Sequence, residues 1–89
     1  MKTTEVYITN RLGLHARAAA KLVHTASEFE SDIFLSFNQE EVNAKSILGL
    51  LTLAATKGTT LGLRVDGVDE ESASQAIISL FEDKFGEGE

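Results

Sequence analysis

The segment Gly13–Ala20, Gly-Leu-His-Ala-Arg-Ala-Ala-Ala, brings a histidine and an arginine to the point where a glycine-containing loop is predicted to become a helix. A histidine side chain titrates near neutral pH, and its neutral ring nitrogen is a good nucleophile towards phosphorus. A helix start favours an anion, and a guanidinium suits phosphoryl oxygens. The spacing of His15 and Arg17 therefore predicts a site that handles a phosphoryl group.

In this interpretation the backbone N–H groups of Ala16, Arg17 and Ala18 face the phosphoryl oxygens, and the Arg17 side chain neutralises their remaining charge. Phosphorylation of an imidazole gives a P–N bond that breaks easily, so His15 would act as a relay. The alternative is structural, with His15 capping the helix and Arg17 simply solvated. Spacing alone leaves both interpretations open.

A second segment, Asn-Ala-Lys-Ser-Ile-Leu-Gly over residues 43–49, places a serine at the predicted start of a short helix. Ser46 is a plausible N-cap, a role worth about 1 kcal/mol. The same position favours an added phosphate, because the helix dipole stabilises negative charge there. Leu48, Leu51 and Ala55 form an additional apolar stripe, which predicts a docking surface, with burial under a neighbouring loop as the alternative.

Other kinds of chemistry find little support. The sequence has no cysteine and no glycine-rich nucleotide motif, zinc-ligand spacing or Gly-x-Ser-x-Gly elbow, so we expect neither a metal nor a cofactor. His24 is assigned no role, and the acidic pairs Glu40–Glu41 and Glu70–Glu71 are expected to be solvated. A small hydrolase would need a residue to position water, and Asn10 is a poor candidate for that task.

Length and composition predict a single domain over residues 1–89, with 43% hydrophobic residues and a net charge of −6. The acidic charge argues against a nucleic-acid binder. The absence of an apolar leader or a membrane-length apolar run indicates a cytoplasmic protein without membrane insertion. Eight of the fourteen acidic residues lie at or beyond Asp66, whereas half of the eight basic residues lie near the two motifs: Arg11, Arg17, Lys21 and Lys45. This distribution predicts a locally positive site on an acidic body.

The apolar periodicity predicts the element order β-α-β-β-α-β-α, with helices covering one face of a mainly antiparallel four-stranded sheet. Strands are expected over about 2–8, around 33–37, up to about Val42, and over 60–65. Helices are expected from His15 to about Ser27, from Ser46, and from Asp69 as N-cap until Gly86, and the tail over residues 86–89 should be loose. The expected core faces of the three helices comprise Ala16, Ala19, Ala20, Val23 and Ala26; Ile47, Leu50 and Ala54; and Ala73, Ala76, Ile77, Leu80 and Lys84.

The segments 13–17 and 43–49, about thirty residues apart, together resemble the HPr family of histidine phosphocarriers in the bacterial phosphoenolpyruvate-dependent phosphotransferase system. The resemblance implies an α+β fold, the two-layer open-faced β-sandwich with sheet order 1-4-2-3. It also implies that His15 is phosphorylated at Nδ1 by enzyme I, with Arg17 holding the group, and passes it to an enzyme IIA domain for sugar transport. The protein would then be a monomeric covalent carrier rather than an enzyme.

The resemblance further implies regulation and docking. Ser46 corresponds to the family's regulatory serine, which HPr kinase/phosphorylase phosphorylates in some bacteria. Partner docking would involve Ala20, Ile47, Leu48 and Leu51. This chain has Ala18 where many members carry a proline, and in having an alanine at this position it resembles the nitrogen-branch paralogue. A nitrogen-branch or purely regulatory phosphorelay without sugar transport is therefore the alternative function.

Overall fold

The computed structural model describes residues 1–53 and 55–87 and confirms the predicted order of elements. The described strands are β1 (Lys2–Tyr7), β2 (Asp32–Phe37), β3 (Glu40–Asn43) and β4 (Thr60–Asp66). The described helices are α1 (Ala16–Ala26), α2 (Ile47–Leu53) and α3 (Glu70–Glu82), and a 3₁₀ turn over Lys84–Gly86 follows. None of the helices within the described ranges is long and apolar enough to cross a membrane.

The strands form one antiparallel sheet in the order β1-β4-β2-β3, which confirms the expected arrangement. The alternation along β2 and β4 turns one face of the sheet towards the helices, where the apolar side chains pack together. The buried strand residues include Ile33, Leu35, Leu61, Leu63 and Val65. Asn38 and Gln39 both have positive φ values, 54° and 68°, as a tight hairpin between β2 and β3 requires.

The other face of the sheet carries Phe34. The Arg64 guanidinium lies 4.3 Å from the centre of the Phe34 ring, directly across β2 and β4. Both oxygens of Glu41 accept hydrogen bonds from Arg64, at 3.0 and 2.7 Å. Glu41 is therefore paired with a cation rather than simply solvated, and the half-buried aromatic ring has a cross-strand partner that accounts for its position.

The buried faces of the helices are rotated from the predicted ones. The buried set in α1 is Ala18, Ala19, Leu22 and Ala26, and in α3 it is Ala73, Ser74, Ile77 and Phe81. Ala16 and Ala20, expected in the core, are exposed. The larger side chains Leu22 and Phe81 decide the orientation, because they bury more apolar area than any alanine.

Two further expectations about the helices are corrected. α2 buries Leu50 and Leu53, whereas Ile47 is exposed, and Ala54 lies outside the described residues. The end of α3 was also misplaced, because the helix stops at Glu82 and Lys84 lies beyond it in the 3₁₀ turn. The sequence offered no glycine or proline before Gly86 to indicate an earlier stop.

Asp69 occupies the N-cap position of α3, but its side chain does not cap the helix as predicted. Its carboxylate instead accepts hydrogen bonds from the backbone N–H groups of Glu30 and Ser31, each at 2.9 Å, and from the Ser31 hydroxyl at 2.5 Å. Glu70, expected to be solvated, accepts from the Gly67 N–H and lies 2.9 Å from the Met1 amino group. Asp69 therefore fastens the start of α3 to the segment that enters β2.

A sharp turn over Lys84–Gly86 follows α3, where the sequence predicted that the helix would continue to Gly86. Of the tail predicted to be loose, residues 86–89, only Gly86 and Glu87 lie within the described residues, and the Glu87 side chain accepts a hydrogen bond from Asn10. Lys84, Phe85 and Gly86 all have positive φ values, 54°, 55° and 74°, which turn the chain sharply. Phe85 is buried and packs edge-to-face on Phe81, with ring centres 4.9 Å apart. This anchor directs the chain back towards the start of α1.

Candidate functional site

The loop before α1 places His15 through one left-handed glycine. Gly13 has a φ of 68°, and its N–H donates to the Asn10 carbonyl at 3.2 Å. The next N–H, of Leu14, donates to the carbonyl of Ala55 at 2.9 Å, which ties the loop to the segment after α2. Because the Leu14 side chain is buried, His15 leaves the core at a fixed position.

His15 occupies the N-cap position of α1 without capping it through its side chain. Its carbonyl accepts the N–H of Ala19 at 2.8 Å, which leaves the three preceding N–H groups of the helix without intrahelical acceptors. Those groups belong to Ala16, Arg17 and Ala18. His15 therefore occupies the capping position that the structural interpretation gave it, but its side chain makes no capping hydrogen bond, and the helix start beside its imidazole is available to an anion.

The imidazole of His15 is 26% exposed and contacts the carboxylate of Glu87, a residue for which the sequence predicts no role. Nε2 of His15 contacts Oε2 of Glu87, whereas Nδ1 makes no hydrogen bond to any described residue. The two residues are 72 positions apart. No local pattern could have paired them, since the contact depends on the left-handed turn after α3.

Glu87 is held from its other side by Asn10, which is fully buried. The Nδ2 group of Asn10 donates to Oε1 of Glu87 at 2.9 Å and to the Gly13 carbonyl at 2.8 Å. The pKa of Glu87 lies below its usual value, chiefly because of the bond from Asn10 and then that from His15, while partial burial opposes this effect. Glu87 is therefore ionised at neutral pH.

A cleft of about 420 Å³ lies beside this histidine, with the lining residues Arg11, Leu12, Arg17, Lys21, Gly86 and Glu87. Arg17 is exposed and forms no hydrogen bond or ion pair with another residue in the described parts of the chain. Lys21 donates from Nζ to the Phe85 carbonyl. Lys45, expected to add charge near the motifs, instead donates to the Phe29 carbonyl at 2.8 Å and does not line the cleft. Cationic side chains thus line a cleft that lies beside the imidazole and the start of α1, which is an arrangement suited to a phosphoryl group.

Ser46 lies at the start of α2, where its Oγ accepts the N–H of Gly49 at 3.2 Å. It is thus an N-cap, as predicted, and its hydroxyl is on an exposed residue. Ile47, Leu48 and Leu51 follow it with exposed fractions of 39%, 73% and 38%, and together form what we call the α2 patch. Ala20 is also exposed, but Ala55, predicted to extend the apolar stripe, is buried. The described residues contain no cluster of acidic or histidine side chains that could hold a metal ion.

Comparison with known proteins relates both the sequence and the fold to one family. The profile described as "PTS HPr component phosphorylation site" matches residues 2–83. The phosphocarrier protein HPr of Xylella fastidiosa is 55% identical over 83 residues, covering 93% of each chain, and that of Neisseria meningitidis is 48% identical over the full length of both. The crystal structure of HPr from Thermoanaerobacter tengcongensis is 46% identical and superposes with a TM-score of 0.94, covering 98% of each chain.

Proposed function

The chain belongs to the HPr family of phosphotransferase-system phosphocarriers, and we propose that it accepts a phosphoryl group from enzyme I on His15 and transfers it to an enzyme IIA domain. The observation that carries the proposal is the position of His15 at the open start of α1, beside the cationic cleft. A neutral imidazole there can attack phosphorus while fixed N–H groups and a guanidinium receive the negative charge. Residues 1–89 act as one cytoplasmic, monomeric domain in this proposal.

The transfer proceeds by exchange of one bond to phosphorus. The Nδ1 lone pair of His15 forms a P–N bond as the bond to the donor breaks, and the donor group retains that electron pair. Arg17 and the N–H groups of Ala16–Ala18 hold the phosphoryl oxygens during the exchange. The reverse bond exchange delivers the group to the acceptor, so the protein is a carrier that returns unchanged rather than an independent enzyme.

Partners dock on the α2 patch and the neighbouring Ala20. Three exposed aliphatic side chains on a domain of this size provide an apolar contact, and the cationic cleft attracts an acidic partner surface. Ser46 lies directly before the patch, so a phosphate placed there by a kinase would put charge into the contact. Ser46 is therefore the proposed regulatory site, with HPr kinase/phosphorylase as the modifying enzyme where an organism has it.

Intact-mass spectrometry after incubation with enzyme I, magnesium and phosphoenolpyruvate tests the acceptor. We expect a gain of one phosphoryl group that acid removes and that alkali leaves in place, since a phosphoramidate behaves in this way. His15→Ala should fold normally and gain no mass, whereas His24→Ala, which alters a histidine that is 82% exposed, should be phosphorylated like the original chain. Phosphorylation of His15→Ala would contradict the assignment of the acceptor.

A further inference from the structure

We propose that Glu87 is a positioning residue of the relay: its carboxylate binds the proton on Nε2 of His15 and so keeps the lone pair of Nδ1 available to phosphorus. This role deepens the proposed function and rests on it.

The contact between the two side chains determines which ring nitrogen carries the proton. A neutral imidazole has one N–H group and one lone pair, and an ionised carboxylate only accepts hydrogen bonds. Because Oε2 of Glu87 faces Nε2 of His15, the proton belongs on Nε2 and the lone pair on Nδ1. Nδ1 has no hydrogen-bond partner among the described residues, so the nucleophilic atom is left open.

Glu87 is itself immobilised by a buried amide. Asn10 donates to Oε1 at 2.9 Å, and the side chain of Glu87 is only 14% exposed. The same amide group holds the Gly13 carbonyl in the loop that precedes His15. One buried amide thus fixes both the carboxylate and the loop that carries the imidazole. Outer-shell hydrogen bonds fix the orientation of metal-bound histidines in the same way.

The left-handed turn over Lys84–Gly86 determines where Glu87 lies. Lys84 and Phe85 are non-glycine residues in the left-handed region, which costs free energy that the surrounding structure must offset. Burial of Phe85 against Phe81 and the bond from Lys21 to the Phe85 carbonyl hold the turn in place. These contacts stabilise the unfavourable backbone conformation that brings the Glu87 carboxylate to His15.

The same contact supports the transfer step. When Nδ1 forms its bond to phosphorus, the lone pair it contributes leaves the ring positively charged, while Nε2 keeps its proton. The carboxylate of Glu87 compensates this charge, and no proton has to leave His15 during the exchange. When the P–N bond breaks, its electron pair returns to Nδ1 and the original tautomer is restored.

Glu87→Gln tests the proposal by removing one acceptor. The Asn10 amide and the Nε2 proton both need an oxygen at this position, whereas glutamine supplies one oxygen and one NH₂ group. Because the Asn10 amide, which also holds the Gly13 carbonyl, donates to the glutamine oxygen, the NH₂ group faces His15, donates to Nε2 and drives the proton to Nδ1, which occupies the nucleophile. Glu82→Gln is the matched control, because it removes the same charge from an exposed residue at the end of α3.

Ring ¹⁵N chemical shifts of the free full-length protein, recorded above the ordinary titration range of histidine, report the tautomer directly. We expect the Nε2–H tautomer in the original chain and in Glu87→Gln a shift towards Nδ1–H, with Glu82→Gln unchanged. The initial rate of phosphoryl transfer from enzyme I should fall about tenfold in Glu87→Gln alone. An identical tautomer in all three proteins would overturn the role of Glu87. Because the shifts need no phosphoryl donor, that failure is distinct from a failure of the original chain to accept phosphate, which would overturn the proposed function.

Discussion

Asn10 and Glu87 lie 77 residues apart in the sequence, and Nδ2 of Asn10 donates to Oε1 of Glu87 across 2.9 Å. This bond joins the loop before α1 to the turn after α3 at the point where His15 emerges. The candidate site is therefore a contact between the two ends of the chain rather than a property of one motif.

The geometry of the His15 loop depends on Gly13, and we expect Gly13→Ala to destabilise the fold. A Cβ at Gly13 would lie 2.7 Å from the Ala55 carbonyl oxygen, in addition to the strain of a φ of 68°. Gly58→Ala is the matched control, because Gly58 has a φ of 91° with nothing within 4 Å of the added carbon. The free energy of unfolding from urea titration should fall by about 1–3 kcal/mol more in Gly13→Ala. Equal losses of unfolding free energy in the two variants would show that the loop before α1 accommodates the added methyl group without a free-energy cost.

The charge of Arg17 should matter for transfer and not for folding. Arg17→Ala removes a guanidinium that has no partner among the described residues, so the melting temperature should stay unchanged. Loss of a charge-assisted hydrogen bond to the phosphoryl group should lower the rate of phosphoryl acceptance about tenfold or more. Lys2→Ala, which removes a cation paired with Glu71 outside the cleft, is the control in a quenched-flow assay. Equal rates of phosphoryl acceptance for both variants would show that Arg17 does not hold the phosphoryl group.

Negative charge at Ser46 should weaken docking at the α2 patch. Ser46→Asp keeps an oxygen that can cap α2, so the fold should persist, while the carboxylate adjoins Ile47 and Leu48. We expect the KM for this protein as a substrate of enzyme I to rise about tenfold with little change in kcat. Ser79→Asp adds the same charge at an exposed position of α3 and serves as the control. An equal rise of KM in both variants would show that the added net charge, and not its position beside the α2 patch, weakens docking.

Asp69 should make the stability depend on acid pH. The pKa of Asp69 is lowered below its ordinary 3.8, chiefly by the Ser31 hydroxyl and then by backbone N–H groups, against partial burial. A carboxyl with a lowered folded pKa contributes its full stability above the unfolded value and loses it as pH falls through the folded value. The difference in unfolding free energy between the original chain and Asp69→Asn should thus be constant from about pH 7 to 5 and shrink below 3.8. Urea titrations across that range measure it, and a difference that persists at lower pH would refute the linkage.

The sequence predicted the elements, their order and both motifs, because these depend on local periodicity and on residue types at helix starts. It failed where a few large side chains or distant contacts decide. Leu22 and Phe81 rotated the buried faces of α1 and α3 relative to the predicted ones. The burial of Phe85 depends on the left-handed turn after α3, which the sequence does not indicate. The position of Glu87 beside His15 depends in turn on the packing of Phe85 against Phe81. The sheet order came from the family resemblance, since strand periodicity does not specify neighbours.

Discharge of the phosphorylated protein tests the central claim most directly. The chain, loaded on His15 and freed of enzyme I and phosphoenolpyruvate, is mixed with an enzyme IIA domain and followed by intact-mass spectrometry of both proteins. A carrier predicts that the added mass leaves this chain as it appears on the acceptor, with little inorganic phosphate released. Release of inorganic phosphate at the same rate with and without the acceptor would contradict the relay.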